Sequence, residues 1–141
     1  TINSPAGNPV TYNHTGINPQ IDQYSYYIIA VDSCGNNKSK TYEIHSPVNI
    51  SGKGLNQASQ INWKPYTGFT VKTYTIQKRK GAGWITVYVA ANTDTTYTEN
   101  NLTCNIVQTY RILSTENGGD NASAYSDTVA MRWAFLAYSG K

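Results

Sequence analysis

The chain of 141 residues resembles itself once, and this self-similarity limits its fold more than any other feature. Thr11-Tyr12, Ile17, Tyr26-x-Ile28 and Gly35 recur as Thr96-Tyr97, Leu102, Tyr110-x-Ile112 and Gly119. The first pairs stand 85 residues apart and the later ones 84, so a one-residue gap reconciles the two copies. A repeat of this period, made of short alternating segments, marks tandem strand-built units rather than one larger body. The same offset sets Thr1 opposite Thr86, midway along a strand of the later copy. Residues 1–42 are therefore expected to be the C-terminal strands of one unit. Residues 43–130 form a complete second unit, and residues 131–141 a tail or the start of a further segment.

Patterning within the later copy has period two. Val71, Thr73, Thr75 and Gln77 alternate with Lys72, Tyr74, Ile76 and Lys78, which sends Tyr74 and Ile76 to the core and the threonines outward. Ile61 and Trp63 share one face of an earlier strand that Pro65 ends, and Ile85, Val87 and Val89 form another alternating set. Lys80-Gly81-Ala82-Gly83, which joins that set to the Tyr74 strand, is a hairpin signal. Tyr110 and Ile112 begin a further strand stopped by the turn residues Asn117 to Asn121, and Tyr125 to Val129 reads as the last strand. No amphipathic helix is legible. The fold class expected is all-β: an antiparallel β-sandwich with one complete domain and the trailing strands of another. Trp63, Tyr74, Ile76, Leu102, Tyr110 and Ile112 are its expected core.

Composition narrows the function. Charged residues are 13% of the chain and the net charge is +3, too weak a field to recruit nucleic acid or a lipid surface. No apolar run approaches the ~18 residues of a membrane span. Twelve Tyr against two Phe suit half-buried strands. His14 and His45 lie in different copies without metal-ligand spacing, and Cys34 and Cys104 are too isolated for a zinc site. No nucleophile elbow, carboxylate pair or phosphate-binding loop occurs, so neither catalysis nor a cofactor is expected. Stacked units would hold Cys34 and Cys104 farther apart than the ~7 Å that a disulfide allows between Cα atoms, so no bridge is expected between them.

The ordering resembles the fibronectin type III family. It places Trp63 on the second strand, Tyr74-x-Ile76-x-Lys78-Arg79 on the third, and Leu102 before a tyrosine corner and the run Tyr110-Arg111-Ile112-Leu113-Ser114. The earlier copy, Tyr26-Tyr27-Ile28-Ile29-Ala30-Val31-Asp32, is nearer the family pattern. Leu102 and Tyr110 stand two residues farther apart than in the family, which implies a rebuilt corner loop, and Ser114 replaces the usual Ala. Val31-Asp32-Ser33-Cys34-Gly35-Asn36 with Trp63-x-Pro65-Tyr66-x-Gly68-Phe69 looks like repeats of large surface proteins of gliding, type-IX-secreting bacteria. Asp94-Thr95-Thr96 and Asp127-Thr128-Val129 are similar to the O-glycosylation sequence of such bacteria, and Asn13, Asn37, Asn49, Asn101 and Asn121 head Asn-x-Ser/Thr sequons.

The resemblance implies a non-enzymatic structural or adhesion module, extracellular or at the cell surface, repeated in a large or filamentous protein. The alternatives are an accessory region of a secreted glycan-degrading enzyme and a virion surface decoration. Expected partners are neighbouring domains of the same chain, a protein or glycan ligand, or copies of itself in a filament. Loops at one sandwich pole are the natural place for binding. Tyr66, Phe69, Asn117 and Asp120 are the candidates there, although Tyr66 and Phe69 with Pro65 are more simply read as capping the end of the core. Half a sandwich exposes an apolar face and an unpaired edge, so strands preceding Thr1 or a neighbouring chain must complete the earlier unit. Met131 to Tyr138 is apolar for a terminus and is expected to extend the last strand or to pack on another domain.

Overall fold

The computed structural model describes residues 13–19, 21–29, 34, 43–119 and 121–133. Its strands are β1 (Asn49–Leu55), β2 (Ala58–Lys64), β3 (Val71–Lys80), β4 (Gly83–Ala91), β5 (Thr96–Glu99), β6 (Gln108–Glu116), β7 (Ser123–Tyr125) and β8 (Val129–Met131). They form a three-stranded sheet of order β1-β2-β5 and a larger sheet of order β4-β3-β6-β7, with β8 also paired to β6. Every pairing between strands is antiparallel. No helix occurs among the described residues.

Alternation explains how the sheets meet. Ile61 and Trp63 of β2, Tyr74 and Ile76 of β3, and Tyr110 and Ile112 of β6 share one buried cluster with Ile50 of β1. Each of these side chains is at most 5% exposed. Trp63 from the smaller sheet lies against Tyr74 from the larger one, ring centroids 5.7 Å apart. Such interleaving of two inward faces is sandwich-like packing. Removing an aromatic ring of this kind from water contributes several kcal/mol, on the order of the whole net stability of a small domain.

Turns obey local chemistry. Lys80 pairs with Gly83, leaving a two-residue loop whose first member, Gly81, has φ +60°, as a type II′ hairpin turn requires. The register of β3 against β4 shifts between Ile76 and Gln77. That bulge breaks the parity of β4: Val87 packs against the core, whereas Ile85 and Val89 are 40% and 54% exposed. Ile85, Val87 and Val89 are therefore not one buried face, because the extra residue of the bulge lies on β4 and breaks the alternation there.

Tyr125 to Val129 is likewise two short strands rather than one. β7 pairs with Leu113–Thr115, and β8 with Gln108–Tyr110. Between them, Ser126 donates its amide to Ile112 O and accepts the Ile112 amide on Oγ, both at 2.8 Å. The hydroxyl thus stands in for a missing backbone acceptor. Ser114 is fully buried, with its hydroxyl donating to Ala124 O at 3.0 Å, which gives a polar residue a place in the core.

The C-terminal segment crosses back over β1. A Cβ on Gly54 would lie 2.5 Å from Arg132 O and 3.0 Å from Trp133 Cα, so backbone approaches backbone there and only glycine fits. Trp133 is 4% exposed, and its indole N–H donates to Leu102 O at 3.1 Å. Leu102, itself buried, donates its amide to Gln57 O in the β1–β2 turn. The corner loop is thus tied to both the first hairpin and the tail. Residues 134–141, the rest of the apolar terminus, lie outside the described residues.

Candidate interaction site

The loop pole is built around Tyr66, which follows Pro65 at the end of β2. It is 9% exposed and stacks on Phe69, ring centroids 4.1 Å apart. Its amide donates to the Tyr74 hydroxyl at 3.2 Å, and its own hydroxyl meets Nδ1 of His45. Burial, with Glu43 and Glu116 nearby, raises the Tyr66 hydroxyl above the ordinary tyrosine range. Tyr66 and Phe69 thus close the end of the core and offer no open aromatic platform. Asn117 is exposed at the same pole and donates its amide to Thr70 O at 2.8 Å. Asp120 lies outside the described residues.

The pole is covered in part by the N-terminal segment. Tyr26 and His45 exchange backbone hydrogen bonds, and Ser46 and Thr67 exchange another pair. The Gln23 side-chain amide donates to Pro47 O at 3.0 Å and Pro65 O at 3.2 Å, and Ser25 Oγ lies 2.6 Å from Ser46 Oγ. Gly68, φ +135°, faces the His45 ring so closely that an added Cβ would stand 2.3 Å from Nδ1. The loop after β2, one of those expected to bind a ligand, is therefore engaged in part by the chain's own preceding residues.

That segment exposes apolar side chains beyond the contact. Ile28 is 88% exposed, Ile21 71% and Tyr27 57%. Its repeat counterpart Ile112 is fully buried, as is Tyr110, the counterpart of Tyr26. Thr11-Tyr12, Gly35 and the stretch Ala30 to Ser33 lie outside the described residues. Cys34 is exposed, and Cys104 is half-buried in the corner loop.

Within the core, the Tyr110 hydroxyl donates to Glu99 Oε2 at 2.6 Å, and Lys78 pairs with the other oxygen of the same carboxylate. Glu99 sits on β5 and the other two on β3 and β6, so the triad ties one sheet to the other. Burial and then the Glu99 bond push the Tyr110 hydroxyl well above its ordinary value. Tyr110 is fully buried, and no group of three or more His, Cys, Asp or Glu side chains suited to a metal occurs among the described residues.

A second constellation, absent from the sequence reading, lies on the outer face of the larger sheet. Arg111 stacks between Trp84 and Tyr125, its guanidinium carbon 4.3 Å and 4.1 Å from the ring centroids. Arg79 stands 5.9 Å from the Trp84 centroid. Arg111 Nε donates to Gln77 Oε1 at 2.8 Å. The local part was legible: a two-residue turn at Gly81-Ala82 sets Arg79 directly opposite Trp84. The rest depends on β6 and β7 reaching β3 from far along the chain.

No protein-family model matches the chain, and no curated protein matches it. Among solved structures, the chain is similar to the crystal structure of pectate lyase Pel3 from Pectobacterium carotovorum, with 15% identity and a TM-score of 0.50. The match covers 65% of this chain and 29% of the other, so the chain spans less than a third of that protein's length. The likeness is one of fold. No helix of the described residues is long and apolar enough to cross a membrane.

Proposed function

We propose that the chain is a non-enzymatic fibronectin-type-III-like module of a repeated extracellular or cell-surface protein, serving structure and adhesion. The observation that carries this reading is the junction at the loop pole, where residues 21–29 pair with His45 and reach Pro47 and Pro65. A strand-rich repeat that grips its predecessor by backbone pairs and short side chains is what an extended array requires, since each unit touches its neighbours. The strand order supports the family reading, with a three-stranded sheet facing one built around β3 and β6. The exposure of Ile28, whose counterpart Ile112 is buried, fits an earlier unit whose inner face needs further strands. In this reading Trp63, Tyr74 and Tyr110 hold the module rigid, and neighbouring domains of the same chain are the first partners.

A second reading has one observation behind it. The fold likeness to a pectate lyase, over less than a third of that protein, favours an accessory region of a secreted glycan-degrading enzyme. Both readings place the chain outside the cell. An antibody raised against the chain is expected to label intact cells of its source or their secreted fraction. Antigen confined to the cytosolic fraction would overturn both. If the antigen is external, the size of the reactive protein and its activity on polysaccharide separate the two readings.

A further inference from the structure

The strands of the larger sheet carry more cations than carboxylates, and two of those cations, Arg79 and Arg111, lie on its outer face. Strands β3, β4, β6, β7 and β8 carry Lys72, Lys78, Arg79, Lys80 and Arg111, against the single carboxylate of Glu116. Lys78 is neutralised from the inner side by Glu99, and Glu116 is turned to the far loop, where it accepts the Ala122 amide. Arg79 and Arg111 make no salt bridge among the described residues. Two guanidinium groups beside the Trp84 ring therefore have no anionic partner among the described residues.

Their geometry suits one kind of ligand. The rings of Trp84 and Tyr125 both lie against the Arg111 guanidinium, and Gln77 accepts its Nε–H. Stacking leaves the in-plane N–H groups of a guanidinium free for the two oxygens of a carboxylate. The side chain is already immobilised, so binding would cost little further rotamer entropy. Tyr125 is 49% exposed, which offers ring surface beside the cation. A sugar ring presents C–H groups on one face, and a uronic acid adds a carboxylate at its edge. We infer that the Arg79–Trp84–Arg111–Tyr125 ladder is a binding face for a carboxylated polysaccharide, with Arg111 and Arg79 holding carboxylates and Tyr125 a sugar face. This face lies on the opposite side of the sheet from the core and does not depend on the loop pole being a domain junction.

Affinity electrophoresis of the whole chain through gels containing alginate tests the inference, with dextran as the neutral glycan and polyglutamate as the non-sugar polyanion. Alginate is expected to retard the chain, with dextran having no effect and polyglutamate a weaker one. Arg111→Gln and Arg79→Gln are each expected to weaken retardation by about tenfold, the usual scale for one charge-assisted hydrogen bond. Lys53→Gln, on β1 of the other sheet, should change nothing. Arg79 is exposed, so its variant reports on binding even if Arg111→Gln is misfolded by thermal melting. No retardation by alginate would overturn the inference, as would equal losses in Lys53→Gln and Arg79→Gln. Retardation by polyglutamate matching or exceeding that by alginate would assign the face to an acidic polypeptide instead.

Discussion

The Tyr26 amide donates to His45 O and the His45 amide to Tyr26 O, each at 2.8 Å, so two residues 19 positions apart form a closed antiparallel pair. The pair stands outside both sheets. Around it gather Ser25 on Ser46, Gln23 on Pro47 and Pro65, and the Tyr66 hydroxyl on the His45 ring. The backbone pair and the serine contact fix groups that lose little side-chain entropy, and Gln23 spans two carbonyls with one side chain. The segment is thereby held against the loop pole by hydrogen bonds at several points.

Gly68 controls that contact. A methyl group there would meet the His45 ring, and φ +135° is a conformation that L side chains rarely adopt. Gly68→Ala is expected to displace His45 and to lower stability by about 1–3 kcal/mol. Chemical denaturation would measure the loss, and an unchanged midpoint would show that the loop has room to yield.

Trp63 tests the sandwich. Its ring is 5% exposed and lies against Tyr74 of the facing sheet, while its indole N–H is buried with no hydrogen-bond partner among the described residues. Trp63→Ala should cost roughly 3–5 kcal/mol, enough to unfold a marginal domain. Trp63→Phe should cost less, because the unpaired donor leaves with the indole. Thermal unfolding of the two variants in parallel gives the order directly.

The closure of the C-terminal segment over β1 predicts an asymmetry between two glycines. At Gly54 an added methyl meets the backbone of Arg132 and Trp133, whereas at Gly52 its closest neighbour is the flexible end of Met131. Gly54→Ala should therefore destabilise by about 1–3 kcal/mol. Gly52→Ala should do so by less, since the Met131 side chain can move more readily than backbone. Equal losses in denaturant titrations would show that the tail does not press on β1.

Alkaline pH should unfold the protein through its tyrosines. Burial raises the hydroxyls of Tyr74 and Tyr110 above their usual value near 10, and the Glu99 carboxylate raises Tyr110 further. A folded value above the unfolded one means that the stabilisation is whole below about pH 10 and is lost as pH rises toward the folded values. Each such tyrosine steepens the loss by roughly 1.4 kcal/mol per pH unit. Absorbance titration should show exposed tyrosines ionising first and the buried ones only as the fold collapses.

Sequence periodicity made the centre of this fold legible because β2, β3 and β6 are regular. Tyr74, Ile76, Tyr110 and Ile112 alternate without interruption and all point inward. Legibility failed where one hydrogen bond or one extra residue changes parity. The bulge opposite Ile76 and Gln77 breaks the alternation of Ile85, Val87 and Val89, and Ser126 divides β7 from β8 with no glycine or proline to mark the break. The loop-pole aromatics Tyr66 and Phe69 are neighbours in sequence, yet the setting of Tyr66 depends on His45 and Tyr74 from elsewhere in the chain. The outer ladder was half legible at Arg79 and Trp84, while Arg111 and Tyr125 join it only through long-range register.

Amide hydrogen exchange at Tyr26 and His45 probes the junction most directly. Both amides should exchange far more slowly than in an unstructured chain, with protection that falls together in Gly68→Ala while that of Ile112 persists. Exchange of both at the unprotected rate in the wild-type chain, with Ile112 still protected, would mean that residues 21–29 do not dock on the sandwich.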